Sequence, residues 1–124
     1  MIEMTEPKMI DRNGWAGFFD QLSADHQGDI TAIELFDTDF GDQYETERLP
    51  FTYASYDRKD DVIVIGVGGN SARSPVLLRR MIHRPVEVDA AVPAPGRSDI
   101  RIVAEDGTTT MVHLRPGAAL PEPR

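Results

Sequence analysis

The 124-residue sequence contains no cysteine. Disulfides, thiolate zinc sites and cysteine nucleophiles are thereby excluded, which fits a reducing compartment. No apolar run approaches the ~20 residues that a membrane span needs. The opening stretch MIEMTEPKM carries acids and no apolar signal core. A soluble cytoplasmic protein is therefore expected, with no membrane partner. Positive charge is also scarce: 13 Lys and Arg face 21 Asp and Glu, for a net charge of −8. Nucleic-acid binding rests on cations that displace counterions, so no nucleic-acid partner is expected.

The charge is unevenly spread. From Asp29 to Asp61 there are ten acids and three bases; from Arg73 to Arg84 there are four arginines and no acid. Two solvated surfaces are the plain account, because exposed charge pairs are weak. The sharper account is an acidic face meeting a basic face, within the fold or between copies.

The length suggests one domain, able to bury roughly two-thirds of its unfolded surface without staples. Trp15, Phe18, Phe19 and Leu22 fall at i, i+3, i+4 and i+7, one apolar stripe of a helix. Asp11 can cap its start and Gly28 can end it. Strand signals follow. ITAIELFD is rich in β-branched and aromatic residues. ERLPFTYASYD alternates, and Pro50 marks an edge or a bulge. DVIVIGVG is nearly all apolar and should be buried on both faces. LLRRMIH leans to strand over helix. In PVEVDAAV the residues Val86, Val88, Ala90 and Val92 should share one face. DIRIVAEDGTTTMVHLR reads as a hairpin turning at Asp106-Gly107, with Ile100 and Ile102 on the face of Val112 and Leu114.

One helix followed by about six strands on short links is an α+β domain. The helix should pack on a strongly bent, mostly antiparallel sheet; a small open barrel of the Sm or SH3 kind fits the same order. Residues 1–10 read as a flexible arm, 11–115 as the domain and 116–124 as a Pro-rich disordered tail.

The run Gly66-Val67-Gly68-Gly69-Asn70-Ser71 invites a dinucleotide-binding reading, with Asp89 about 20 residues on. The third glycine position holds Ser71, and Pro75 leaves no helix to open at the loop. Positive-φ glycines in a strand-to-strand turn explain the run better. No Lys follows Lys59, so a P-loop fails as well. DTDFGD at 37–42 resembles a calcium loop but places Asp42 and Arg48 where glycine and glutamate belong. His26, near the helix end, suits capping or packing. His113 should be solvated opposite Val112 and Leu114. His83 neighbours Arg80 and Arg84. Ser71 and Ser74 lack an activating pattern. No catalytic, metal or cofactor residue is assigned and no cofactor is expected.

Several ordered motifs remain: W-x-x-F-F-D-x-x-S-x-x-H-x-G from Trp15 to Gly28, F-G-D-Q-x-E-x-x-x-L-P-F at 40–51, Y-D-x-K-D-D at 56–61, M-I-x-x-P at 81–85 and D-G-T-T at 106–109. In these the chain resembles a family of small bacterial proteins catalogued only as a domain of unknown function. The resemblance spans about residues 11–115. It implies one domain with an N-terminal helix and a mostly β remainder, and it implies no activity. The GVGGNSARSPVLL loop is longer and more basic than the resemblance suggests.

Two functions are weighed. The leading one is a non-enzymatic interaction module, whose partner is another protein or a second copy in a homodimer. The alternative is a small-molecule binder or modest enzyme with a pocket between helix and sheet. Ligand or interface residues are expected among His26, Tyr53, Tyr56, Arg73, Arg79, Arg80 and Arg84.

Overall fold

Asp11 begins the helical segment as expected, but through an intervening turn. Its carboxylate accepts the Asn13 N–H at 3.1 Å and caps a 3-10 turn, Arg12–Gly14, that runs straight into the helix. The computed structural model describes residues 7–37, 41–69 and 77–117. In chain order the elements are β1 (Lys8–Met9), α1 (Trp15–His26), β2 (Ile30–Asp37), β3 (Gly41–Asp57), β4 (Val62–Gly68), β5 (Leu77–His83), β6 (Pro85–Ala91), β7 (Ser98–Ala104) and β8 (Thr109–Arg115). The eight strands form an open sheet in the order β1-β6-β7-β8-β2-β3-β4-β5. Every neighbouring pair is antiparallel.

The fold is α+β, with eight strands where about six were expected. LLRRMIH is a strand, β5, although only Ile82 within it is buried and the sequence shows no alternation. The strand not read from the sequence is β1, too short to leave a periodic signal. Lys8 and Met9 pair with Ala90 and Asp89 of β6. The described residues exclude 1–6, 38–40, 70–76 and 118–124; Arg73, Asn70, Ser71, Ser74, the tip of DTDFGD and most of the Pro-rich tail lie there.

The 17-residue β3 serves two halves of the sheet. Its first part, to Pro50, pairs with β2, and from Phe51 onward it pairs with β4. Arg48 has φ 60°, and the ladder slips between Thr31 and Glu34 and again between Phe51 and Tyr53. Pro50 sits at this changeover, in agreement with the bulge reading. A second device completes the curl. β5 lies at one end of the sheet order, and the single residue Arg84 leads from it into β6 near the other end. The two ends must therefore approach each other. Arg84 N–H donates to Asp61 O at 2.9 Å, and Glu105 N–H donates to Arg84 O at 2.9 Å. Arg84 and Asp61 have φ 50° and 54°, an uncommon left-handed backbone for side-chain-bearing residues.

The core fills the inside of this curl. Trp15, Phe19 and Leu22 of α1 join Phe51, Ile63, Ile65, Ile100, Ile102, Val112 and Leu114. Burial of each such side chain contributes about 1.5–3 kcal/mol before entropy is counted. Ser23 fastens the helix to β3: its hydroxyl donates to Ala54 O and accepts the Ala54 N–H, both at 2.8 Å. The Asp106-Gly107 hairpin forms as read, with Gly107 at φ 93° and Ile100 opposite Val112. β4 is buried nearly throughout. Val86 and Val92 depart from the expected inward face, at 51% and 44% exposure. A bulge between Pro85 and Glu87 breaks the alternation around Val86.

At the glycine run, Gly68 and Gly69 have φ 79° and 78°. The strands they join, β4 and β5, are antiparallel neighbours, from Val62 opposite His83 to Gly68 opposite Leu77. Gly68 and Gly69 therefore stand at the end of β4 facing an antiparallel neighbour, which is not the parallel pairing a dinucleotide-binding crossover requires.

Candidate functional site

His26 sits buried at the end of α1. Its Nδ1 is 2.8 Å from Asp29 Oδ2 and its Nε2 is 3.1 Å from Ser98 Oγ. With both ring nitrogens engaged, it ties the helix end to the start of β7. Tyr53 lies elsewhere, on the outer face of β3, with its ring laid over Gly66 of β4. A Cβ at Gly66 would come within 2.4 Å of that ring. Arg79 is exposed on β5. Of the sequence-named residues, His26, Tyr53, Tyr56 and Arg80 do not converge on one pocket. Each has its own surroundings.

Tyr56 belongs to a polar cluster that sequence reading missed. Arg12, in the turn before α1, is its hub. One guanidinium nitrogen donates to Tyr56 Oη at 3.1 Å and to Asp61 Oδ1 at 3.2 Å; the other donates to Pro85 O at 2.9 Å. The guanidinium also lies 4.4 Å from the Trp15 ring centre, within cation–π range. Tyr56 donates to Asp61 Oδ1 at 2.7 Å and meets Trp15 edge-on. Burial and then the Asp61 carboxylate hold the Tyr56 phenol above its ordinary pKa, and Arg12 partly offsets them. Arg12, Asn13, Tyr56, Arg58 and Asp61 line a shallow cleft of about 390 Å3. A signal for this cluster was present: Trp15, Tyr56, Asp61 and Pro85 all stand in the quoted motifs. Their meeting through Arg12 explains those letters as a staple across the Arg84 corner.

The larger cleft, about 470 Å3, opens where β5 faces the β7–β8 hairpin across the seam of the curl. Arg80, His83, Arg84, Asp106, Thr108 and Thr110 are among its lining residues. Arg84 Nε donates to Glu105 Oε1 at 2.8 Å in an exposed pair. Asp106 accepts the Thr108 N–H at 2.9 Å. That bond, reinforced by the Thr108 hydroxyl and the positive charges of Arg80 and Arg84, lowers the Asp106 pKa. Arg80 has a buried Nε with no hydrogen-bond partner.

His113 is not solvated as expected. On the outer face of β8 its Nδ1 is 2.8 Å from Asp99 Oδ1 and its Nε2 is 2.7 Å from Glu34 Oε1. Burial alone would lower its pKa, but the two carboxylates outweigh that and raise it. The ring cannot take a proton from a substrate while both nitrogens are held. Among the described residues no three His, Asp or Glu side chains group as a metal site. No helix of the described residues is long and apolar enough to cross a membrane.

An uncharacterised protein of Aquifex aeolicus (strain VF5) is 30% identical over 115 residues, which cover 93% of this chain and 97% of the relative. No solved structure matches the chain. A family model matches residues 6–123, so the chain belongs to the family of unknown function DUF5335.

Proposed function

We propose that this protein is a non-enzymatic, cytoplasmic interaction module that self-associates through the free edge of β5. One observation carries the reading. β5 ends the sheet, pairs with β4 alone among the described residues, and exposes Leu77, Leu78 and Met81 at 38%, 50% and 46%. An exposed apolar edge presents unpaired N–H and C=O groups as a template for another strand. A second copy of β5, antiparallel to the first, would give a two-fold contact. The curl of the sheet supports a small open barrel as the scaffold, in the manner of Sm or SH3 domains.

Arg79 and Arg80 would lie near their own copies in such a pair, and like charges across strands destabilise it. Association should therefore strengthen as salt rises. Sedimentation across protein and salt concentration checks this. A dimer that strengthens with salt and is lost in the L78K/M81K variant, with an unchanged circular dichroism spectrum, is the expected result. A monomer under every condition overturns the proposal. So does a dimer that weakens with salt and ignores the variant, since that points to acidic and basic faces meeting elsewhere.

A further inference from the structure

We propose that the seam between β5 and the β7–β8 hairpin binds a small molecule through an oxyanion group, a carboxylate or a phosphate, anchored by Arg80. The guanidinium is a planar fork that matches two oxygens of such a group. Its Nε is buried in the seam without a partner. Few buried polar groups in a folded protein are left so, and each calls for an explanation. Among the described residues no acid accepts from this nitrogen. The two acids of the adjoining hairpin are engaged elsewhere: Asp106 with the Thr108 N–H, Glu105 with Arg84. The acceptor that fits must come from outside the described chain.

The surroundings define the ligand further. The cleft of about 470 Å3 falls in the range of metabolite sites and exceeds what a bare anion fills. Arg84 and His83 stand on the same rim, and Thr108 supplies a hydroxyl. Asp106 adds one negative charge to the same lining, where a hydroxyl or ammonium group of the ligand would be accepted. The site shares β5 with the proposed strand pairing, so an oxyanion that neutralises Arg80 would also ease the approach of a second copy. Along the pleat Arg80 shares its face with exposed Leu78 and buried Ile82, and Met81 also lines the cleft.

The test follows amide and arginine Nε–H signals by 15N NMR while inorganic phosphate or acetate is titrated against chloride at matched ionic strength. A saturable shift of the Arg80 Nε–H and of the Thr108 and Thr110 amides is expected. Response to phosphate alone assigns a phosphorylated ligand, to acetate alone a carboxylate, and to both a general oxyanion site. Arg80→Lys keeps the charge and loses the fork, and should weaken the response at least about tenfold. Arg80→Met should abolish it. No saturable shift in either arm overturns the proposal, as does an unchanged amide response in the folded Arg80→Lys protein. Sedimentation of the same samples reports dimerisation separately, so the two proposals fail independently.

Discussion

Arg101 and His113 are each held between two carboxylates on the β6–β7–β8–β2 side of the sheet. Arg101 reaches Glu87 at 3.0 Å and Asp89 at 2.7 Å; His113 reaches Asp99 and Glu34 at 2.8 Å and 2.7 Å. On β5, at the other side, Arg80 has a buried nitrogen with no hydrogen-bond acceptor among the described residues. The contrast separates two uses of charge. Paired networks fix strand register, because each cation there already has its carboxylate partners. An orphaned donor has capacity left for a partner. This is why His113, which carries the more obvious catalytic chemistry, is the weaker functional candidate, and Arg80 the stronger.

Breaking the paired side should cost most. His113→Ala leaves Glu34 and Asp99 facing each other across β8 with no cation between them. A loss of about 2 kcal/mol is expected in urea unfolding at mildly acid pH, since the site is only partly buried. The loss should depend on pH in a defined direction. His113 has a raised pKa in the fold, against about 6.5 when unfolded. The protonated ring therefore stabilises fully below the unfolded value, and that contribution disappears as pH rises through the folded value. The stability difference between wild type and His113→Ala should shrink across that window. A difference that stays constant with pH would show that the ring acts by packing alone.

The outer face of the β3–β4 pair offers a smaller effect. There Tyr53 covers Gly66 in place of any ion pair. Gly66→Ala puts a methyl group within 2.4 Å of the ring and should cost about 1–2 kcal/mol. Tyr53→Ala should relieve part of that cost, so the double variant is expected to lose less than the sum of the singles. Additive losses would mean that the ring swings aside freely.

The sequence made the two faces unequally legible. Trp15, Phe19 and Leu22 announced the helix because their spacing repeats its turn, and all three are core residues. Asp106-Gly107 announced the hairpin because few dipeptides accept its backbone. The alternation of β8 correctly put His113 outside, but it could not show which carboxylates β2 and β7 would bring beside it. β5 could be read as a strand only from its length and short connections, because an exposed edge needs no alternation. The Arg12 cluster was hidden for another reason: it joins three segments far apart in sequence, and Arg12 to Pro85 alone spans 73 residues. Local pattern carries element type well and long-range assembly poorly.

The smallest effect is also the sharpest test of what an orphan means. Thr31 shares the condition of Arg80: its hydroxyl is buried in the core without a partner. Thr31 lines neither of the two clefts, and its orphaned oxygen is read as a plain burden on stability. Thr31→Val should raise stability by about 1 kcal/mol, because it removes an unsatisfied group at nearly constant shape. Arg80→Met should give a gain of the same sign but smaller, since its side chain is only partly buried. That gain should reverse once phosphate or acetate stabilises the wild type alone, as a ligand that binds only the folded state does. The comparison needs melting curves of three proteins, each with and without the anion. If Arg80→Met loses stability in chloride, the guanidinium is a structural member of the seam, and the distinction between the paired and the orphaned side of the sheet falls with it.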